Sequence, residues 1–198
     1  MKKHIISIIL LLGGICKLQA QTSTSGVVGI GRTSVYSGGS PLGGYILDGY
    51  HLELGISHKL KHAPIKFQTG VKLSNNGSSP FHTMGSSEYR NVFVPVTILY
   101  SYGVKNTVSV GGGLFMGHNF DQSLDHSQFF ELQPFSTGLT LVFEFMRANQ
   151  YLNYGVRIQS FLEATPTTID LDNRRNGTTH QHLAMSIVIA RPIHRDKK

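Results

Sequence analysis

The sequence predicts an all-β fold, an eight-stranded antiparallel up-and-down transmembrane β-barrel. Three observations carry that expectation. Apolar and polar residues alternate with period two in eight segments of about 9 to 12 residues, the length a tilted strand needs to cross a bilayer. The connections between those segments alternate long and short, as in barrels with short periplasmic turns and longer extracellular loops. Asp, Glu, Lys and Arg make up only 15% of the chain, against about 25% in an ordinary soluble domain, so something other than a charged surface must cover the molecule.

Residues 1–20 read as a secretory signal and residues 21–198 as one barrel domain. Lys2, Lys3 and His4 precede an apolar run from Ile5 to Ile15, and Leu18-Gln19-Ala20 places cleavage between Ala20 and Gln21. An anchoring helix needs about 20 apolar residues, and Lys17 ends this run at roughly half that. Cys16, the single cysteine, follows Ile15, whereas a lipidated cysteine normally follows a small residue. Removal of the signal leaves neither a disulfide framework nor a thiol nucleophile. It also takes Lys2, Lys3 and Lys17, which lowers the formal charge from +7 by three to +4. With export, so small an excess argues against a nucleic-acid partner.

The segments fall at roughly 26–36, 46–57, 65–73, 92–102, 107–117, 132–145, 151–162 and 181–191. Successive strand side chains point to opposite faces, so each can be read by parity. The first is ambiguous, because Arg32 shares the parity of Val28 and Ile30. The second and third carry Tyr50, Leu52, Leu54, Ile56 and Ile65, Phe67, Val71, Leu73 on their apolar faces. In the fourth, Val92, Val94, Val96, Ile98, Tyr100 and Tyr102 oppose Pro95, Thr97 and Ser101; in the fifth, Val108, Val110, Leu114 and Met116 oppose Ser109, Gly111, Gly113 and Gly117. The sixth sets Phe135, Leu139, Leu141, Phe143 and Phe145 against Ser136, Gly138, Thr140 and Glu144, and the seventh sets Leu152, Tyr154, Val156 and Ile158 against Gly155, Arg157 and Gln159. The eighth presents Leu183, Met185, Ile187 and Ile189. The expected long connections are 37–45, 74–91, 118–131 and 163–180; the short ones are 58–64, 103–106 and 146–150. With eight strands both termini fall on the short-turn, periplasmic side.

Alternation alone does not separate this barrel from a soluble one of lipocalin type, whose apolar face points inward. The polar face does, because Gly, Ser and Thr dominate it and small residues suit a narrow interior. Its charges, Glu53, Lys66, Lys72, Glu144, Arg157 and Glu163, are three of each sign and predict a neutral polar network in the lumen. A hairpin around the second connection places Glu53 opposite Gly70 and within diagonal reach of Lys72. Tyr100, Tyr102, Phe143, Phe145, Tyr151 and Tyr154 gather near the short turns, where an interfacial girdle would lie.

A signal ending in Gln-Ala-Gln, a fourth strand reading Tyr-Arg-Asn-Val-Phe-Val-Pro-Val (89–96) and a fifth with Val-Gly-Gly-Gly-Leu (110–114) resemble the PorT-like outer-membrane β-barrel protein family across the mature chain. The resemblance implies an eight-stranded outer-membrane barrel; most members have no known function and a few serve secretion or gliding machinery. Such barrels usually end on an aromatic, whereas this chain runs Arg191-Pro192-Ile193-His194 into a basic tail.

Candidate chemistry is sparse. His118, Asp121, Ser123, Asp125 and His126 crowd one long loop, and His180 and His182 flank the last strand. A metal site needs converging ligands with supporting partners, a triad is defined by geometry, and solvated loop polarity explains both clusters. Gly111-Gly112-Gly113 lacks the following Lys and Ser/Thr of a phosphate loop, while Asn76-Gly77-Ser78 and Asn176-Gly177-Thr178 read as turns. The expectation is a non-enzymatic outer-membrane protein without cofactor or metal. Its expected partners are outer-membrane lipid and, through the long loops, other envelope proteins. The alternatives are a barrel enzyme acting on lipid or peptide at the membrane surface, and a soluble periplasmic carrier.

Overall fold

The computed structural model describes residues 20–37, 40–60, 63–78, 88–123, 130–149, 151–165, 168–170 and 177–193. The segment expected to be a signal, apart from Ala20, lies outside them. Eight long strands follow one another as β1 (Ala20–Ser37), β2 (Ser40–Leu60), β3 (Ile65–Ser78), β4 (Glu88–Tyr102), β5 (Asn106–Ser123), β7 (Phe135–Ala148), β8 (Asn153–Glu163) and β10 (Gly177–Pro192). Two three-residue strands, β6 (Phe130–Leu132) and β9 (Thr168–Asp170), lie between them. Each long strand pairs antiparallel with the next, and β1 pairs with β10, so the sheet closes into a barrel. Closure leaves no unpaired edge along the long strands.

The burial pattern is inverted relative to a soluble protein. Along β7 the side chains alternate out and in, with Leu139, Leu141, Phe143 and Phe145 exposed and Ser136, Thr140, Val142 and Glu144 buried. The other strands do the same: Val28, Leu54, Val96, Leu114, Ile158 and Ile187 face outward, whereas Glu53, Thr97, Ser109 and Arg157 are buried inside. Arg32 resolves the ambiguity of the first segment by following Val28 and Ile30 to the outer face.

Several expected boundaries are corrected. The connection expected at 37–45 is largely strand: β1 and β2 pair to Ser37↔Ser40 after a register shift between Ser34 and Tyr36, and only Gly38 and Gly39 separate the strands. Strand β5 continues to Ser123, and β6 and β9 pair with each other inside the expected third and fourth long connections. Leu132 belongs to β6, and Tyr151 and Leu152 precede β8. Alternation marks where side chains must choose between two environments; beyond the apolar band that choice disappears, although backbone pairing continues. The β2–β3 register is also corrected: Glu53 stands directly opposite Lys72, and Gly70 opposite Gly55. The β3–β4 and β4–β5 pairs therefore extend well past their expected long-loop ends, to Gly77↔Glu88 and Glu88↔Ser123, whereas β8–β10 stops at Gln181↔Leu162, where it was expected to.

Candidate functional site

The interior is layered. Nearest the short turns Val27, Met146, Val188 and Ala190 form a small apolar floor, and Ser101 Oγ lies 2.8 Å from Ser109 Oγ. Above it sits an ionic layer centred on Arg157, which is 2% exposed. Arg157 Nε and Nη2 donate to Glu144 Oε2 at 3.0 and 2.7 Å, and Nη1 donates to Glu53 Oε1 at 2.8 Å. Lys66 Nζ donates to the other oxygen of Glu144. With the amide oxygen and nitrogen of Gln68 assigned so that the oxygen faces the guanidinium, Gln68 accepts from Arg157 Nη1 at 3.1 Å. Glu144 is the direct cross-strand neighbour of Arg157, but Glu53 on β2 and Lys66 on β3 reach it across the lumen. The layer thus ties together strands that do not touch in the sheet.

The other two predicted charges take different partners. The Lys72 ammonium lies 4.2 Å from the centroid of the Phe161 ring, a cation–π contact. Glu163 lies towards the long-loop end, where its Oε1 is 3.8 Å from His182 Nε2. Four of the six residues therefore join in one hydrogen-bonded network, while Lys72 contacts Phe161 and Glu163 approaches His182.

The parity reading passed over an aromatic layer above the ions. Phe93, Phe115 and Phe161 are buried with centroids 5.1 to 5.4 Å apart, two contacts edge-on and one stacked, a favourable ring geometry. His182 adds an edge contact to Phe93 at 5.7 Å. Each phenylalanine shares the parity of the polar face, which was the available signal. Glycines make the room: a methyl group at Gly138 would come within 2.7 Å of the Phe115 ring, and one at Gly117 within 2.7 Å of Ser136 Oγ while overlapping Phe93.

Among the described residues one fully buried nucleophile–base geometry occurs, His51 Nε2 at 2.8 Å from Ser186 Oγ. Both side chains are buried, and the nearby cavity, lined by His51, Lys72, Phe93, Phe161 and His182, measures about 10 Å³. A water needs about that much, so no ester or amide carbonyl fits beside Ser186. Among the described residues no three His, Cys, Asp or Glu side chains gather as a metal site. His118 lies in β5 rather than in a loop; it points outward against Phe135, ring centroids 5.1 Å apart. The side chains of Asp121, Ser123 and His180 lie outside the described residues, as do Asp125, His126 and Asn176 altogether and the side chain of Asn76.

No protein-family model and no curated protein sequence matches the chain. Solved structures do. Neisserial surface protein A is similar over 85% of this chain and 96% of its own, with TM-score 0.56 and 8% identity. The outer membrane protein OprG from Pseudomonas aeruginosa is similar over 89% of this chain and 98% of its own, with TM-score 0.51 and 13% identity. What this chain shares with them is the fold, a closed antiparallel barrel of eight strands as found in outer-membrane proteins.

Proposed function

We propose that the chain is a non-enzymatic resident of a bacterial outer membrane, exported by a signal removed after Ala20, with its termini in the periplasm and its surface or assembly role carried by the long-loop end. The observation that carries this reading is the inverted burial. An outer face of Val28, Leu54, Val96, Leu139, Ile158 and Ile187 is costly in water and suited to lipid, while the charges of Arg157, Glu53, Glu144 and Lys66 are enclosed. A soluble carrier would need the opposite arrangement. The buried His51–Ser186 pair and its cramped cavity weigh against a surface enzyme. The short motifs at 89–96 and 110–114 support membership of the PorT-like family and, through it, a part in an envelope assembly.

The test is cell fractionation followed by gel electrophoresis with and without boiling. The mature protein, starting at Gln21, is expected with the outer membrane, extractable only by detergent, and running faster before boiling than after. Recovery from the soluble periplasm, or one mobility under both conditions, would overturn the membrane reading.

A further inference from the structure

The short-turn end carries a cleft that the interior network leaves out. Its volume is about 310 Å³, and Lys105, Asn106, Arg147, Ala148, Asn149 and Tyr154 line it. Asn106, Arg147 and Tyr154 form one row across three adjacent strands, because Arg147 is in register with Asn106 on one side and Tyr154 on the other. The next row toward the middle of the barrel is Val108, Phe145 and Val156, paired by the same registers and exposed on the outer face. Two residues along a strand separate the rows, about 7 Å. The two turns are joined by the Ala148 amide, which donates to the Lys105 carbonyl at 2.7 Å.

Two cations therefore sit side by side at the edge of an apolar wall. The carboxylates whose side chains are described, Glu53, Glu144 and Glu163, all belong to the interior faces of their strands. The sequence extends the asymmetry. Lys59 near the end of β2 and Arg191 near the end of β10 belong to the short-turn end. Asp48, Glu88, Asp121, Glu131 and Asp170 belong to the long-loop half, with Arg32 and Arg90 among them.

The geometry points to a binding site for the phosphate headgroup of an anionic glycerophospholipid, with Lys105 and Arg147 on the phosphate, Tyr154 and Asn106 beside it as hydrogen-bond donors, and an acyl chain along Val108, Phe145 and Val156. The shape commits the site to lipid over a free anion, because the cations end where the apolar row begins. Arg supplies a planar fork of donors suited to phosphate oxygens, and Lys a mobile point charge. Basic clusters at a membrane surface attract anionic headgroups in this way. The site rests on the membrane reading and refines it by assigning the lipid class at the periplasmic leaflet.

The test uses the full mature protein folded in a neutral detergent. It is titrated with phosphatidylglycerol or phosphatidylcholine, and bound lipid is counted by native mass spectrometry. Phosphatidylglycerol is expected to bind in preference, and Lys105→Gln with Arg147→Gln to weaken it on the order of tenfold. Arg32→Gln, at the other end of the barrel, should leave binding unchanged. Gel mobility before boiling shows whether each variant is folded; should the double variant fail to fold, Lys105→Gln alone, in an exposed turn, carries the measurement. Equal binding of both lipids, an unchanged double variant, or displacement of the lipid by millimolar inorganic phosphate would each overturn the assignment. Failure of the native chain to fold in detergent would instead sink the membrane reading.

Discussion

Arg157 is the largest fully buried side chain among the described residues, and its surroundings explain why an arginine stands there. Two of its nitrogens converge on Glu144 Oε2 while a third reaches Glu53, a fork that a lysine ammonium cannot reproduce. Arg157→Met leaves two buried carboxylates with less compensation, and breaking a buried pair by removing one partner costs about 3–5 kcal/mol. The expected outcome is a lower temperature for loss of the folded gel band. Adding Glu53→Gln to Arg157→Met should recover much of that loss, since Glu144 keeps Lys66 as its partner and the second carboxylate is gone; a double variant no better than the single one would show that packing, not charge, holds the layer. The charged residues were legible in the sequence because a charge on the polar parity of a barrel strand has nowhere else to go. Their pairing was not, because Glu53 and Arg157 are 104 residues apart and meet only once the barrel closes. Phe93, Phe115 and Phe161 were passed over for a related reason: an aromatic in a strand is ordinarily taken for lipid contact, and its parity has to overrule its chemistry.

At the scale of the strand, the membrane band and the paired backbone are separate quantities, and sequence reports the first more clearly than the second. Strand β7 keeps strict alternation from Phe135 to Arg147, so its middle was legible. The polar stretch through Ser40-Pro41-Leu42-Gly43-Gly44 of β2 was not, since loop composition and an extramembrane strand look alike when no apolar face is required. The turn after β4 is different again. Gly103 has φ of +101°, a conformation that L side chains rarely adopt, and a methyl group there would run into the Asn106 carbonyl. Parity makes β7 the place to test orientation. Single cysteines carrying spin labels at 139, 141 and 143 should be accessible to oxygen dissolved in lipid, and labels at 138, 140 and 142 should be shielded. Gly138 is the least forgiving position, because its side chain would meet the Phe115 ring, so 140 and 142 carry the comparison. Inverted parity, or none, would overturn the assignment of the outer face.

Over the whole molecule, the barrel is closed by chemistry at two heights. The ionic layer links β2 and β3 to β7 and β8, and the aromatic layer of Phe93, Phe115 and Phe161 lies above it. A barrel of eight strands has an interior just wide enough for side chains to fill, and here both layers fill it. The molecule is therefore suited to present its ends rather than to conduct through its middle. Reconstituted into a planar bilayer, the native protein should show no steady ionic conductance. Phe161→Ala should not open one either, because it removes the ring beneath Lys72 but leaves Arg157 bound to Glu53 and Glu144 below. Combining Phe161→Ala with Arg157→Ser breaches both layers, and a conductance appearing only in that double variant would identify them as two independent barriers. Steady openings by the native protein would show instead that the interior rearranges in the membrane, and the surface role would then have to give way to transport.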